Sequence, residues 1–319
     1  MNIAVMSPHT RHIGNTTVAS LLALELASRG MKTCLTNLST AEENNPLNHY
    51  FGFDSQARDS TSAPSKLAKM LKERIINTDS VTNYCKSVAK DCDILSVADR
   101  KMDDDLLKTL VWFELTNFPH DVVIYDVDIP IEKYNEPYAQ LLFERVDFII
   151  WVFNQSILEV RDFKVITPKI TKLLTKPSLV VINKFDRQVS SIKDVQSEIA
   201  QKELSKETSW LRLRYNPMVC KYTNGGSLHY LHAAMKNADY AVLNLDGDLA
   251  QIAGRVMKFS RRLKSQYAKN KSEIRQRELE NFQASVAQQK AEAEAPKADS
   301  KTAESEATDT ESNEQKSES

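Results

Sequence analysis

Short, mostly apolar segments recur along this chain: Asn2–Met6, Lys32–Leu38, Asp93–Val97, Val122–Asp126, Phe148–Phe153, Leu179–Asn183 and a shorter one at Leu211–Tyr215. The central stretches of Asp93–Val97, Val122–Asp126, Phe148–Phe153 and Leu179–Asn183 are mostly apolar rather than alternating, and a strand of that kind is expected to be covered on both faces. Segments of helical spacing separate them, at Val18–Leu26, Asp104–Thr116, Arg161–Leu174 and Asp194–Leu204. Strand and helix in alternation bring successive strands in parallel, because a parallel pair needs a long crossover. The expected fold is therefore α/β: a doubly wound, mostly parallel sheet with helices on both faces. Gly30 ends the first helix, so residues 2–38 read as one βαβ unit. Residues 42–66 are polar and interrupted by Pro46 and Pro64, which predicts a long loop with at most one short helix.

A hydrophobic fraction of 41% over 319 residues suffices for one large domain of about 250 residues and a tail. The net charge of −1 gives no global attraction to nucleic acid or membrane, so only a local cluster could provide one. Such a cluster exists. From Asp248 onward the pattern is helical and basic, with Arg255, Lys258, Arg261, Arg262, Lys264, Lys269 and Lys271, while Val256, Phe259, Leu263 and Tyr267 recur at three- and four-residue steps. After residue 290 the chain is Ala, Glu, Ser, Thr and Lys without apolar anchors, a composition that cannot offset chain entropy. The expected organisation is a folded domain over 1–255, a basic amphipathic helical extension over 256–290 and a disordered tail over 291–319. Cys34, Cys85, Cys92 and Cys220 form no CxxC pair, which suits a reducing cytoplasm and argues against a structural zinc. No apolar run approaches the about 20 residues of a bilayer span, so no transmembrane segment is expected.

The first strand is followed by Ser7-Pro8-His9-Thr10-Arg11-His12-Ile13-Gly14-Asn15-Thr16-Thr17. A loop between a first strand and its helix is where α/β proteins hold phosphate, through unpaired amides and the helix dipole. The phosphate-binding pattern G-x-x-x-x-G-K-[ST] needs glycine for close backbone approach, lysine for the phosphate charge and a hydroxyl for magnesium. Here Gly14 and the Thr16 hydroxyl stand, His9 occupies the first glycine position, and Asn15 occupies the lysine. Taken alone, Gly14-Asn15-Thr16-Thr17 also reads as a capped helix start.

Residues 9–17 resemble the G-K-G-G-x-G-K-T-T loop of the ParA/MinD family, with Gly14, Thr16 and Thr17 retained and with Thr10 and Asn15 in place of its two lysines. The resemblance continues over most of residues 1–260. Asn37 stands where the family has the first aspartate after its second strand, and Asn48-His49-Tyr50-Phe51-Gly52 resembles the approach to its next helix. His120 to Pro130 resembles its Tyr-Asp-hydrophobic-Asp-x-Pro run, making Asp126 the Walker B candidate; Asn183 falls where a strand-ending Asn contacts the purine. The resemblance implies ATP or ADP with magnesium as cofactor. Arg11, Gly14, Asn15, Thr16, Thr17, Asn183 and Asp186 would bind the nucleotide, and Thr16 and Asp126 the metal.

It also implies a bacterial protein that positions a cargo in partitioning, conjugation, secretion or pilus localisation, with a protein partner and as a homodimer. A cytoplasmic place is expected, peripheral at membrane or nucleoid, and residues 255–271 are the candidate surface for DNA or membrane. Loss of both lysines removes charge that phosphoryl transfer depends on, so weak or absent hydrolysis is expected. Three alternatives stand beside that reading. Arg11, with Thr16 and Asp126, could make a rearranged but working ATPase; Asn183-Lys184-Phe185-Asp186 matches the Asn-Lys-x-Asp guanine motif of a GTP-binding switch; and the basic helix could make a DNA-binding module.

Overall fold

The computed structural model describes residues 1–7, 13–39, 46–53, 63–73, 82–96, 104–129, 133–156, 163, 170–198, 204, 208–237 and 243–294. These residues form an eight-stranded sheet: β1 (Asn2–Met6), β2 (Thr33–Ser39), β3 (Lys86–Ala89), β4 (Cys92–Ser96), β5 (Val122–Asp128), β6 (Phe148–Phe153), β7 (Ser178–Phe185) and β8 (Ser209–Arg214). The spatial order is β3-β4-β2-β5-β1-β6-β7-β8. Every pairing is parallel except that of β3 with β4.

Side chains alternate across the sheet as the strand period requires. From β1, Ile3 and Val5 enter one apolar cluster and Ala4 and Met6 another. The first cluster takes in α1 (Asn15–Ser28), α9 (Leu228–Lys236) and the start of α10 (Leu243–Glu294). The second takes in α5 (Pro137–Arg145) and α6 (Thr171–Leu174). A third, around Cys34 and Leu95, packs α3 (Ala63–Lys72) and α4 (Asp104–Asn117) on the same sheet. Helices therefore cover both faces, as the continuously apolar strands required.

The remaining helices are α2 (Pro46–Tyr50), α7 (Ile192–Glu198) and α8 (Pro217–Asn224). Within the range 42–66, α2 is the one short helix that was allowed, and the correction is α3, which begins inside that range at Ala63. Pro46 is the first residue of α2 and Pro64 the second of α3, positions where proline's missing amide costs nothing. The antiparallel strand β3 was not expected either. Of the helix expected over Arg161–Leu174, only Phe163 and residues 170–174 are described, and the tail from 295 lies outside the described residues. The chain divides into two compact units, 1–261 and 262–319, the second described only through its helical residues 262–294.

Helix α1 is buried almost throughout, and its one internal acid, Glu25, is fully buried. Glu25 Oε1 accepts from Arg29 Nε at 2.7 Å, and Oε2 lies 2.7 Å from Lys236 Nζ and 3.0 Å from His232 Nε2. Lys236 also reaches Asp246 at 3.0 Å, so one carboxylate joins α1, α9 and α10. Burial pushes the Glu25 carboxyl up, but the hydrogen bonds from His232, Lys236 and Arg29 outweigh it and hold it near about 2, against an ordinary 4.5. Removing one partner from a buried ion cluster costs about 3–5 kcal/mol. We expect Glu25→Gln to lower Tm by on the order of 10 °C at neutral pH, checked by thermal denaturation. Because the folded value is depressed, this contribution is present above pH 4.5 and is lost as pH falls through about 2. The gap between variant and parent should therefore close in acid.

Candidate functional site

The parallel strands deliver their C-terminal ends to one edge, and α1 starts there. Gly14 precedes the helix with φ 99°, a left-handed backbone that glycine adopts without steric cost. A Cβ at this position would lie 2.2 Å from Asn183 Nδ2. Asn183, in β7, donates from Nδ2 to Ile13 O at 2.6 Å, which ties the end of that strand to the turn before α1.

The next three residues each have a polar partner. Asn15 Nδ2 donates to Ser7 Oγ at 3.1 Å and lies 3.5 Å from Val127 O, so the amide turns back toward the sheet. Thr16 Oγ1 donates to Asp126 Oδ2 at 2.7 Å. The Thr17 hydroxyl lies 3.3 Å from the Tyr50 hydroxyl. Asn37 sits beside Asp126 in the β2–β5 register and donates to the same Oδ2 at 3.1 Å.

Asp126 is fully buried. Burial pushes its carboxyl up to about 7, against the hydrogen bonds from Thr16 and Asn37 and with a further rise from Asp128. Asp126 Oδ1, Asn37 Oδ1 and Asn15 Oδ1 are buried and accept no hydrogen bond from the described residues. An unsatisfied buried polar atom costs about 1–3 kcal/mol. An oxygen-only set of this kind suits a hard cation such as magnesium or its bound water. Thr16 and Asp126 would supply the ligands, so the residues present fit the metal.

A cavity of about 440 Å³ opens beside this cluster, lined by Ile13 to Thr17, Tyr50, Asp128, Asn183, Lys184, the end of β8 and α8. Gly14, Asn15, Thr16, Thr17 and Asn183 are thus brought together. Arg11 lies outside the described residues. Asp186 does not line the cavity: its Oδ1 accepts from Gln188 N at 2.9 Å, and its backbone N and O are held by Gln155 at 2.6 and 2.9 Å.

Tyr50, Arg214, Cys220 and Thr223 also line the cavity, and sequence reasoning missed them. For the α8 wall there was a local signal, since Asn216 followed by Pro217 is a helix start; Asn216 Oδ1 accepts from Met218 N at 2.9 Å. Arg214 is placed by the buried Asp248, to which Nε and Nη2 donate at 2.7 and 2.8 Å.

A scan against protein-family models finds no match, and neither does a search of curated proteins. Solved structures do match. The septum site-determining protein MinD from Pyrococcus horikoshii, complexed with Mg-ADP, superposes with TM-score 0.57 at 16% identity, covering 80% of this chain and 95% of that one. The fold is that of MinD and ParA. MinD of the Aquifex aeolicus MinC:MinD cell division complex gives TM-score 0.59 at 16% identity, covering 81% and 95%. A ParA family ATPase from Chlorobium tepidum gives 0.58 at 11%, covering 79% and 96%. The MinD/ParA likeness spans almost the whole length of those chains and concerns the fold.

The raised Asp126 carboxyl has a measurable consequence. Its ionisation penalises the folded state, and the penalty grows as pH rises from the ordinary 3.8 through about 7. In metal-free buffer, Asp126→Asn should be more thermostable than the parent at about pH 8, with the difference shrinking toward about pH 5. Thermal denaturation across that range checks it, and a difference independent of pH would contradict the assignment.

Proposed function

We propose that this chain is a ParA/MinD-like positioning or scaffold protein that binds an adenine nucleotide with magnesium and turns it over slowly or not at all. One observation carries the reading. Thr16 and Asp126 are paired at 2.7 Å at the start of α1, while Asn15, at the family's lysine position, turns its amide to Ser7 and toward Val127.

The first amides of α1 and its dipole would take the phosphates, with Thr16 and Asp126 holding the metal. Magnesium, when bound, neutralises charge on the phosphate oxygens. The side chain at position 15 adds none. Losing a group aimed at the developing charge costs about 10²–10³ in rate. Asn37 adds to the deficit: its amide donates to Asp126, and an amide cannot accept a proton from attacking water. For the base, Asn183 lines the cavity, whereas the Asp186 carboxylate caps its own turn, which supports adenine over guanine.

Thermal denaturation with magnesium and ATP, ADP, GTP or GDP tests this. ATP and ADP should raise Tm and guanine nucleotides should not, because a ligand bound only to the folded state stabilises it. Phosphate release should stay near background and rise in Asn15→Lys. Turnover in the parent comparable to lysine-bearing proteins of this fold would overturn the slow-hydrolysis reading, and no shift with any nucleotide would overturn nucleotide binding.

A second reading, compatible with the first, concerns partners. Along α10, Ile252, Ala253, Val256 and Ser260 are buried, while Arg255, Lys258, Arg261, Arg262, Lys264 and Lys269 are exposed. No described helix is long and apolar enough to cross a membrane. This supports peripheral docking on an anionic surface, nucleoid DNA or membrane, with a protein cargo or a second copy bound elsewhere. Duplex DNA and anionic vesicles are the two probes. Binding to one of them should weaken steeply with salt and weaken further in a triple Arg261→Glu, Arg262→Glu, Lys264→Glu variant. Absence of binding to both at low salt would remove this reading.

A further inference from the structure

The last helix and the sequence beyond it carry opposite charges in separate blocks. Residues 255–271 hold seven basic side chains and no acidic one, whereas residues 302–315 hold five acidic side chains and no basic one. The five are Glu304, Glu306, Asp309, Glu311 and Glu314. In the unit 262–319, Arg262, Lys264 and Lys269 on α10 are exposed to solvent.

We propose that the acidic segment 302–315 is the occupant of this basic face: it lies along Arg262, Lys264 and Lys269 of its own chain and must be displaced before an anionic surface can dock there. The displacement step rests on the anionic-docking reading above, while the contact itself does not.

Reach and charge both support this occupant. A helix rises about 1.5 Å per residue, which puts Lys269 and Arg262 about 38 and 48 Å back along α10 from Glu294. Extended chain covers at most about 3.4 Å per residue, so Glu306 reaches up to about 41 Å from Glu294 and Glu314 up to about 68 Å. The acids therefore cover the distances at which the bases stand. Each exposed ion pair is weak. A tether nevertheless presents the acids at an effective concentration on the order of 1 mM or somewhat less, so several weak pairs act together. The segment has no apolar side chain larger than alanine, so its docking depends on charge and is released as salt screens that charge.

The test treats the full-length protein with a carbodiimide, which joins touching amines and carboxylates without a spacer, and maps the links by peptide mass spectrometry. Links from Lys264 or Lys269 to acids of 302–315 are expected at about 20 mM salt and should be lost at about 0.5 M. Mixing isotope-labelled with unlabelled protein should show them to lie within one chain. A full-length variant with Glu304→Gln, Glu306→Gln, Asp309→Asn, Glu311→Gln and Glu314→Gln should bind a DNA duplex or anionic vesicles about tenfold more tightly than the parent at low salt, the gap closing as salt rises. A chain ending at Glu294 should behave like that variant. Absence of the links at low salt, links only between two chains, or a neutralised variant that binds its probe no better than the parent would each overturn the proposal. Links that form while neither probe binds any of the proteins would support the contact and remove the docking reading instead.

Discussion

A parallel sheet covered on both faces can offer polar groups to a ligand only at the ends of its strands. That constraint organises this molecule. Ser7 after β1, Asn37 on β2, Asp126 and Asp128 on β5, and Asn183 on β7 all reach the same edge because those strands run the same way. The core elsewhere tolerates little charge. Glu25 is fully buried yet is held by Arg29, Lys236 and His232. Glu114 takes a hydrogen bond from Thr36 at 3.2 Å, and burial raises its carboxyl to about 8, well above the ordinary carboxylate range.

On the proposed reading, the metal-holding part of a phosphate site is kept here and the lysine part is not. Thr16 and Asp126 keep the geometry suited to a hard metal, and Gly14 keeps the backbone approach, since any side chain would strike Asn183. Position 15 carries an amide engaged with the sheet. A site built this way can recognise an anion through helix amides and a metal, because those contacts act on the ground state. Under the same reading it would lack a fixed positive charge from that position where charge would accumulate during transfer.

What the sequence disclosed, and what it did not, follows from range. The strands under two layers of helix were legible because burial on both sides leaves a continuous apolar run; β5, β6 and β7 appear within three residues of their expected ends. β3 was hidden because Lys86-Ser87-Val88-Ala89 is an exposed edge with no such run. The start of α3 was hidden by Pro64, which looks like a breaker but occupies the first turn, as Pro46 does in α2. At the site, Thr16 and Asp126 could be paired from motif order. The wall formed by Tyr50, Cys220 and Thr223 could not, because it rests on contacts between segments far apart in the chain, and no local pattern encodes those.

One such contact links the two sides of that wall. Gly52 and Gly226 meet backbone to backbone: a Cβ on Gly52 would lie 2.6 Å from Gly226 O, and one on Gly226 would lie 2.9 Å from Gly52 Cα and 3.0 Å from His49 O. With no side chain between them, this junction has no rotamers to relax and no spacer to compress. The end of α2, which presents Tyr50, and the end of α8, which presents Cys220 and Thr223, therefore approach with no side chain between them, and any residue larger than glycine at 52 or 226 would push the two parts of that wall apart.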